Sequence, residues 1–545
     1  MSENVDKVHV VDVAVVGAGI SGLVAAMTIQ KQAPNATFVV LEAAPDRVGG
    51  RIHTGPDGTE LGAAFFGPTQ NRMLNLIHDL GLSTYEIDGT GKDIFSIDGA
   101  VRRYDADAKA FDGNPIARAD CHAALQRLEA DAARVDGANP QKECAGAAPL
   151  DVYELDRVPL ARYLRGLCRT SEAYQFLYLN FQALLTHDPE CLSALCGLWY
   201  VKNCGGFSAV LEGETWKTKE GNSRIVERLA ERIGGAKVVK LGCAVRTVDT
   251  TGRADRPVRL TGDGFAPIEA KRVVFAIPPN QLGRVRFDPP LPPERVQELQ
   301  RWAMGHVIKT FTTYDAGRLW KEKGLSGRVL ARVTSQARGG AGACPSIDIY
   351  DDSGPTGDGA PAATPIVTGS GAGKGTLLAF IDASYANHWV KKTEEERKAA
   401  LAQHFAKLFG DDRLLHPSGY QERLWSAEPW IGGCFFASPM PGVLSDFGRG
   451  WCAPWAAGLP HMASAEPRVF FASTEAANHW FGYMEGGYEA GERAAYDALV
   501  SLGLLPKGTL PPPPPVAPKG FAPAPQSCFD PKVAAQAKPQ LVAKL

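Results

Sequence analysis

The feature that most restricts the fold of this chain is a glycine-rich turn near its N-terminus. The segment Gly17-Ala18-Gly19-Ile20-Ser21-Gly22 follows a largely apolar run, 10–16, and opens a helical pattern over 20–32. The first glycine permits a tight turn, Gly19 lets the backbone approach a pyrophosphate, and Gly22 lets helix and strand pack closely. The start of the helix, where Ser21 lies, offers unpaired N–H groups to phosphates. The pattern therefore predicts a dinucleotide-binding site.

A second strand and an acidic residue support this interpretation. Residues 37–41 form another apolar run, and Glu42 follows it, twenty residues after Gly22. A carboxylate in this place can accept hydrogen bonds from the ribose of a dinucleotide. The order strand, helix, strand predicts an α/β fold with a parallel sheet and a right-handed crossover. A glycine-rich turn with a purely structural role would leave Glu42 unexplained.

The segment after the second strand favours FAD over NAD. Residues 43–54 read AAPDRVGGRIHT, in which Ala43 precedes a glycine pair, Gly49-Gly50, flanked by Arg47 and Arg51. Two glycines allow a second close approach of the backbone to the cofactor, and both arginines can reach its phosphates. Arg47 taken by itself could equally be a surface charge. The segment as a whole predicts FAD as the cofactor.

Composition excludes several classes of protein. The net charge of −2 over 545 residues creates no strong field for nucleic acid or an anionic membrane. The eleven cysteines are scattered, without C-x-x-C pairs or Cys/His clusters at zinc spacing. We therefore expect reduced thiols in an intracellular protein, and no metal site. No run of eighteen apolar residues occurs, so we also expect no transmembrane anchor.

Hydrophobic periodicity outlines the rest of the chain. It predicts a helix over 73–80, strands over 271–277 and 469–472, and mostly helical structure between about 93 and 240. Residues 337–375 are rich in Gly, Ala, Pro and Asp, which is typical of a surface loop, here around a short apolar piece at 347–350. Residues 504–545 are rich in proline, and we expect an extended, flexible tail.

Six blocks of sequence, all in one order, resemble the flavin monoamine oxidase family over residues 11–502. After the glycine-rich block come ELGAAFFGPTQNRMLNLIHDLGL (60–82), SALCGLWYVKNCGG (193–206), MGHVIKTFTTY (304–314), WIGGCFFASPMPGVLSDFG (430–448) and FFASTEAANHWFGYMEGGYEAGERAA (470–495). The third and fifth blocks are more similar to animal-type monoamine oxidases than to polyamine oxidases. The resemblance implies a two-domain α/β FAD-dependent amine oxidase fold. Its Rossmann-type FAD domain would take 1–88, 216–296 and 428–503, and its mostly helical, mixed-sheet substrate domain 89–215 and 297–427.

The resemblance also implies catalytic roles for Lys309, Phe435 and Tyr483, and a cofactor-binding role for Cys434. Lys309 would hold a water against flavin N5 and assist the reaction of reduced flavin with oxygen, although a lysine on a solvated strand face fits the alternation equally. Cys434 matches the cysteine that carries FAD as an 8α-thioether, but some relatives bind FAD non-covalently, and a free cysteine is often simply buried. Phe435 and Tyr483 match the two aromatic residues that sandwich the amine. The family usually has tyrosine at both positions.

Further positions follow from the same comparison. Trp425 would pack near the flavin, Glu475 would lie near the ribityl and phosphate groups, and the backbone of Val245 would meet the adenine. The family favours glycine where this chain has Ser473. Three aromatic residues are candidates for the cavity wall, or otherwise for the core: Phe181, Tyr200 and Phe380.

The activity implied is oxidation of a primary, arylalkyl amine to an imine that hydrolyses to aldehyde and ammonia, with oxygen reduced to hydrogen peroxide. A polyamine oxidase is an alternative and would need carboxylates in its tunnel, which Glu212 or Glu214 could supply. An L-amino-acid oxidase would need a cavity arginine that the sequence does not identify. A redox-silent flavin-binding module is disfavoured by Lys309 and the aromatic pair. The expected partners are a small amine and oxygen. The sequence leaves open whether the protein forms a homodimer.

The C-terminal tripeptide Ala543-Lys544-Leu545 is similar to the Ser-Lys-Leu address of peroxisomal import. Such a tag must be exposed, and the proline-rich segment before it would hold it away from the fold. A producer of hydrogen peroxide is also well placed beside catalase. We therefore expect recognition by the peroxisomal import receptor, with the cytoplasm as the alternative location.

Overall fold

A computed structural model describes residues 9–105, 111, 113–143, 151–251, 256–332, 345–354, 373–455 and 467–518. The C-terminal tripeptide and most of the 337–375 stretch lie outside these ranges. The strands are β1 (His9–Val16), β2 (Phe38–Leu41), β3 (Thr84–Glu86), β4 (Lys92–Ile97), β5 (Ala100–Tyr104), β6 (Trp216–Thr218), β7 (Val239–Lys240), β8 (Ala244–Asp249), β9 (Val258–Asp263), β10 (Ile268–Phe275), β11 (Arg286–Asp288), β12 (Trp302–Met304), β13 (Val307–Tyr314), β14 (Leu325–Arg332), β15 (Asp348–Asp351), β16 (Gly375–Asp382), β17 (Gly419–Leu424), β18 (Ala437–Pro439) and β19 (Val469–Phe471).

Helices surround these strands in the described ranges. They are α1 (Ile20–Gln32), α2 (Asn71–Asp79), α3 (Pro115–Arg134), α4 (Val152–Leu155), α5 (Leu160–Leu167), α6 (Ser171–Leu185), α7 (Ala194–Asn203), α8 (Phe207–Leu211), α9 (Ser223–Arg232), α10 (Pro279–Leu282), α11 (Pro293–Leu299), α12 (Ala383–Trp389), α13 (Glu394–Phe409), α14 (Val443–Phe447) and α15 (Met484–Ser501). No helix in the described part of the chain combines the length and apolarity needed to cross a membrane.

The first sheet is built around the predicted strand–helix–strand unit, which is confirmed. β1 lies between β2 and β10 and is parallel to both, and α1 connects β1 to β2. β7 extends the parallel part beyond β2, and β19 extends it beyond β10. The nearly continuous apolar sequence of β1 fits this position, because a central parallel strand is covered on both faces. The strands of this sheet come from residues 9–41, 239–288 and 469–471, within the three segments predicted for the FAD domain.

The second sheet has the order β17-β13-β16-β15-β14-β4-β5 and is mostly antiparallel. Its strands come from the two segments predicted for the substrate domain, whose limits stay a prediction. The helical prediction for 93–240 is wrong at its start, where β4 and β5 form an antiparallel pair. The physical reason is long-range, because β4 pairs in parallel with β14, far away in the sequence.

A close helix crossing joins the start of α15 to the glycine-rich turn. A Cβ on Gly491 would lie 2.2 Å from the carbonyl oxygen of Ser21, and a Cβ on Gly487 would lie 2.8 Å from Ile20 Cγ2. Glycine at these positions therefore allows α15 to lie directly against α1. The crossing brings Tyr483, which precedes α15, to the same region as the turn.

The beginning of the proline-rich tail differs from the expectation of a free segment. The side-chain amide of Asn75 on α2 donates a hydrogen bond to the carbonyl oxygen of Val516 at 2.9 Å. Ala517 also packs against the apolar cluster around α1 and α2. The start of the tail therefore packs against the helices that cover the first sheet, through the contacts of Val516 and Ala517.

Candidate functional site

A cavity of about 580 Å³ is lined by residues of both sheets and of the loops between them. Gly17, Gly19 and Glu42 line the part next to β1 and β2. Lys309 and Phe380 line the part that belongs to the second sheet. The volume is in the usual range for a cofactor or substrate site.

The glycine-rich turn forms a cradle in which each glycine has a separate role. Gly17 has a φ of +99°, which side chains rarely adopt. A Cβ on Gly22 would lie 1.9 Å from the Gly17 carbonyl oxygen, so this position holds the turn against the helix. A Cβ on Gly19 would find its nearest neighbour 3.8 Å away, at the Gly49 carbonyl oxygen. The space over Gly19 is therefore open to the cavity, and Gly50 borders it from the other side.

Glu42 is held at the end of β2 by the backbone. Its carboxylate accepts hydrogen bonds from the N–H groups of Ala18, at 2.7 Å, and Ala44, at 2.8 Å. Burial raises the pKa of Glu42 above its ordinary value, and these hydrogen bonds oppose the shift. Ala43 and Ser21 line the cavity beside it.

The two predicted phosphate-binding arginines have partners within the protein. Arg47 lines the cavity and donates to the carbonyl oxygen of Gly50 at 2.9 Å. Arg51 also lines the cavity, but it forms a two-pronged ion pair with Glu475, at 2.6 and 3.1 Å. It further donates to the carbonyl oxygen of Phe435 at 2.9 Å. Although burial opposes ionisation, Arg51 keeps the pKa of Glu475 below its ordinary value.

Unpaired polar atoms in the part of the cavity next to β1 and β2 fit a bound dinucleotide. The Ser473 hydroxyl and the Gln281 side-chain nitrogen are buried, line the cavity, and have no hydrogen-bond partner among the described residues. Buried polar groups are nearly always satisfied in proteins, so a ligand is the natural partner. Val245 lines the same part. The cradle, Glu42 and these open donors together suit FAD.

Lys309 lies fully inside the second part of the cavity. Its Nζ donates to the carbonyl oxygens of Glu60, at 2.6 Å, and Gly62, at 2.8 Å. Burial, together with the positive charge of Lys217, lowers the pKa of Lys309 to about 8. An ammonium group has three donors, so one N–H is left without a protein partner in the described structure. Trp425 holds the intervening carbonyl, that of Leu61, through its indole N–H at 2.9 Å.

A single row of side chains across the second sheet forms one wall of this part. Arg423 on β17 pairs with Lys309 on β13, which pairs with Phe380 on β16, which pairs with Asp348 on β15. Directly paired residues project to the same face of a sheet, and all four line the cavity.

Cys434 and Phe435 approach this row from the loop before β18. Cys434 lines the cavity as a buried free thiol, and burial raises its pKa to about 12. The Phe435 ring meets that of Phe380 edge-on, with centroids 5.3 Å apart. Both residues therefore line the same part of the cavity as Lys309.

Tyr483 lines the cavity together with Tyr200 from α7. Their hydroxyl oxygens lie 3.1 Å apart, so one hydroxyl donates to the other. The Tyr483 ring also packs edge-on against Trp480, at 4.8 Å between centroids. These contacts hold Tyr483 in one orientation at the start of α15.

The family of flavin-containing amine oxidoreductases matches this chain over residues 20–499. The chain belongs to this family. Its cofactor is FAD, and its activity is the oxidation of amines. The predicted fold class, with a dinucleotide sheet and a mixed second sheet, is confirmed.

Curated relatives of this amine oxidase span most of its length. Flavin-containing amine oxidase A of Canis lupus familiaris is 33% identical over 510 residues, which cover 91% of this chain and 86% of the relative. Flavin-containing amine oxidase B of Homo sapiens is 32% identical over 504 residues, covering 91% and 87%. The resemblance to monoamine oxidases is thereby confirmed.

Solved structures show the same fold. Putrescine oxidase bound to putrescine is 28% identical, with a TM-score of 0.75, over 90% of this chain and 99% of that one. Cyclohexylamine oxidase from Brevibacterium oxydans IH-35A is 27% identical, also with a TM-score of 0.75, over the same shares.

Most of the residues predicted for the amine oxidase site meet in the cavity, but three do not line it. Gly22 lies beneath the turn, where it packs against Gly17. Glu475 lies behind Arg51 and forms the ion pair with it. Phe181 differs most from the expectation of a cavity wall, because it is buried in the core against Phe207, at 5.5 Å between ring centroids.

Sequence reasoning missed several residues that line the cavity. Phe65 was visible within the second resemblance block, where nothing distinguished it from the core phenylalanine beside it. Asp348 belongs to the short apolar piece at 347–350, and only its register opposite Phe380 reveals its place. Glu214, considered for a polyamine oxidase, does line the cavity.

Proposed function

We propose that this enzyme oxidises primary amines with an apolar, arylalkyl body to aldehyde and ammonia, and reduces oxygen to hydrogen peroxide. The observation that carries the proposal is the aromatic lining next to Lys309, in the same cavity as the dinucleotide cradle. Tyr483, Phe435 and Phe380 provide flat apolar surfaces for an aromatic or alkyl group. FAD, when bound, accepts a hydride from the carbon next to nitrogen and passes the electrons to oxygen.

The side chains of the cavity select the neutral form of the reacting amine. An aromatic cage excludes water and disfavours an unpaired ammonium ion, so the amine enters the reaction without its proton. Tyr483 is kept in orientation by its hydrogen bond to Tyr200, and Phe435 by its contact with Phe380. These residues thus bind and orient the substrate, and none of them has to transfer a proton.

Lys309 is proposed to assist the reaction with oxygen. Its two carbonyl partners fix the position of Nζ, and the remaining N–H can hold a water molecule. A fixed positive charge in a buried cavity stabilises negative charge that develops on oxygen. The lowered pKa of Lys309, about 8, lets the same group also exist in neutral form near physiological pH.

The test is a panel of amines with the purified, FAD-loaded enzyme. Benzylamine, phenethylamine, an alkylamine, an N-methylated amine, a polyamine and an L-amino acid are compared by oxygen uptake and peroxide formation. Higher kcat/KM for the primary arylalkyl amines is the expected result. Activity confined to the amino acid or to secondary amines would overturn the proposal, and no turnover with any compound would favour a redox-silent flavoprotein.

Covalent attachment of FAD through Cys434 is a further proposal. The thiol lines the cavity beside Lys309 and Phe435, in the part where the flavin ring would lie. Denaturation in acid should then leave the yellow chromophore on the protein. Release of all flavin into the supernatant would contradict the link without affecting the assignment to the family.

We also propose peroxisomal import, which rests on the tripeptide Ala543-Lys544-Leu545. A fluorescent protein that carries residues 506–545 at its free C-terminus should co-localise with catalase. The same fusion without the tripeptide is the control and should spread through the cytoplasm. Equal distribution of the two would exclude this address.

A further inference from the structure

A second buried lysine, Lys217, lies close to Lys309, and the proposed oxidation does not use it. Only 4% of Lys217 is exposed, and its Nζ donates a hydrogen bond to Asp352 Oδ1 at 2.5 Å. The Asp352 side chain is also buried, so both charges are removed from water. The attraction within a buried ion pair often does no more than offset the free energy of removing its charges from water. The pair is therefore weak evidence for a contribution to stability, and its place beside Lys309 indicates another role.

The ring of Phe65 connects Lys217 to Lys309. The Nζ of Lys217 lies 5.8 Å from the centroid of this ring, and the Nζ of Lys309 lies 5.9 Å from the same centroid. β6, which carries Lys217, pairs with β3, and the backbone N–H of Asp352 donates to the carbonyl oxygen of Thr376 on β16 at 2.8 Å. Backbone hydrogen bonds on both sides therefore hold the two charges of the pair at fixed positions next to Lys309.

The two charges of the pair act on Lys309 in opposite directions. Burial lowers the pKa of Lys309, the positive charge of Lys217 lowers it further, and the negative charge of Asp352 raises it. Although burial opposes ionisation, Asp352 keeps the pKa of Lys217 above its ordinary value, so Lys217 stays charged where Lys309 titrates. Salt screens buried charges only weakly, so the effect of the pair persists at physiological ionic strength.

The other charged or titratable groups around Lys309 come from different elements and are Glu60, Asp348, Arg423 and Cys434. Burial raises the pKa of both Glu60 and Asp348 to about 7. It raises the pKa of Cys434 to about 12, so this thiol is neutral where Lys309 titrates. Arg423 is neutralised by an ion pair with Glu428 at 2.7 Å. Among these groups, Glu60 is the one that titrates near Lys309 and also acts on it, so a test has to control for it.

We infer that the Lys217–Asp352 ion pair is a positioning unit that sets the fraction of Lys309 carrying a positive charge, and thereby the pH range in which reduced flavin reacts fast with oxygen. Neither residue has to touch the flavin, the amine or oxygen, since both act through Lys309. This inference rests on the role proposed for Lys309 and deepens it.

The test is the pH dependence of the rate constant for reoxidation of reduced FAD by oxygen, measured by stopped flow. Protonated Lys309 supports this reaction, so the wild-type rate should fall as the pH rises through about 8. Lys217→Met removes a like charge and should move the midpoint up by about one pH unit. Asp352→Asn removes an opposite charge and should move it down by about one pH unit. The double variant removes both charges and should return close to the wild-type midpoint.

Matched controls separate this effect from a general loss of charge. Lys374 and Asp315 form an ion pair of similar geometry, at 2.9 Å, but on the surface. Lys374→Met and Asp315→Asn should leave the midpoint at its wild-type value, because water and salt screen an exposed pair. The variants of Lys217 and Asp352 are also measured in a Glu60→Gln background. Midpoints that still move in opposite directions there exclude titration of Glu60 as the cause.

Thermal stability gives a second measurement, which does not depend on turnover. The folded pKa of Lys309 lies below the 10.5 of the unfolded chain, so the stability of a protein with Lys309, relative to its Lys309→Met counterpart, rises with pH over this interval. The rise in melting temperature should be smaller in the Lys217→Met background, where the two pKa values are closer. It should be larger in the Asp352→Asn background, where they are further apart.

The outcomes distinguish this inference from the role of Lys309 itself. Midpoints that do not move, or that move in the same direction in Lys217→Met and Asp352→Asn, would overturn the inference. Slow reoxidation in Lys309→Met would then still support the proposed role of Lys309. If Lys309→Met reacts with oxygen as fast as wild type, both the role and the inference are wrong.

Discussion

The two parts of the cavity are built in different ways. The core of the part next to β1 and β2, the glycine-rich turn and Glu42, lies within one continuous strand–helix–strand unit, to which Val245, Gln281 and Ser473 are added from distant segments. The part beyond Lys309 comes from residues far apart in the chain, which strand register brings into one row. The first part is thus built around a local sequence motif, and the second by long-range strand pairing.

The largest expected effect is at the glycine-rich turn. Gly22→Ala places a Cβ 1.9 Å from the Gly17 carbonyl oxygen, so the helix must shift. We expect a loss of about 3 kcal/mol of stability and no bound FAD. Gly19→Val is the matched variant, since its Cβ meets no protein atom within 3.4 Å. It should fold but bind little FAD, as measured by the ratio of flavin to protein absorbance. Full FAD content in Gly19→Val would contradict the cradle.

The next effect distinguishes the two half-reactions at Lys309. Lys309→Met removes the fixed positive charge and should slow the reaction of reduced flavin with oxygen by about 100-fold. Flavin reduction by anaerobic amine should change much less. Stopped-flow absorbance measures both rates, and Lys374→Met, which changes a surface lysine, is the control. Equal slowing of both half-reactions would exclude the proposed role.

A smaller effect is expected in the aromatic cage. Phe435→Tyr provides a more electron-rich ring and a hydroxyl at the position where the family usually has tyrosine. We expect kcat/KM for benzylamine to change by about threefold. Tyr483→Phe removes the hydrogen bond to Tyr200 and should lower kcat/KM by about fivefold. Tyr200→Phe removes the same hydrogen bond but leaves the Tyr483 hydroxyl in place. It should therefore reproduce only the part of this loss that comes from the orientation of Tyr483. A change in kcat/KM ten times larger than expected in any of these three variants would indicate proton transfer by a hydroxyl.

The smallest effect concerns stability and pH. Burial lowers the pKa of Lys309 from 10.5 to about 8, so between these values the unfolded chain binds more protons than the folded one. The penalty for burying this lysine is therefore fully present below pH 8 and is lost as the pH rises toward 10.5. The melting temperature of wild type, relative to Lys309→Met, should rise by about 2 °C over this window. The neighbouring Glu60, Lys217, Asp352 and Cys434 are the same in both proteins. A constant difference would mean that Lys309 is not shifted.

Local sequence patterns were sufficient to predict the first strands and the first helix of the dinucleotide-binding sheet, because these elements depend on neighbouring residues. The predicted helix over 20–32 has the same limits as α1, and the strands β1 and β2 lie where the apolar runs occur. Even there, the partners of charged residues were not predictable. Arg51 was expected to reach phosphate and does line the cavity, but its ion pair with Glu475, from a distant segment, is a tertiary contact.

The sequence by itself determined the cofactor and the family, since these depend on short motifs with few physical alternatives. Tertiary structure decided which carboxylates and aromatic residues line the cavity. Phe181 and Phe380 are both buried phenylalanines in apolar surroundings, yet one packs in the core and the other lines the cavity. Asp348 lines the cavity because β15 pairs with β16 in a register that places it opposite Phe380. A shift of one residue would turn it to the other face of the sheet, and only the packing of the whole sheet selects the register.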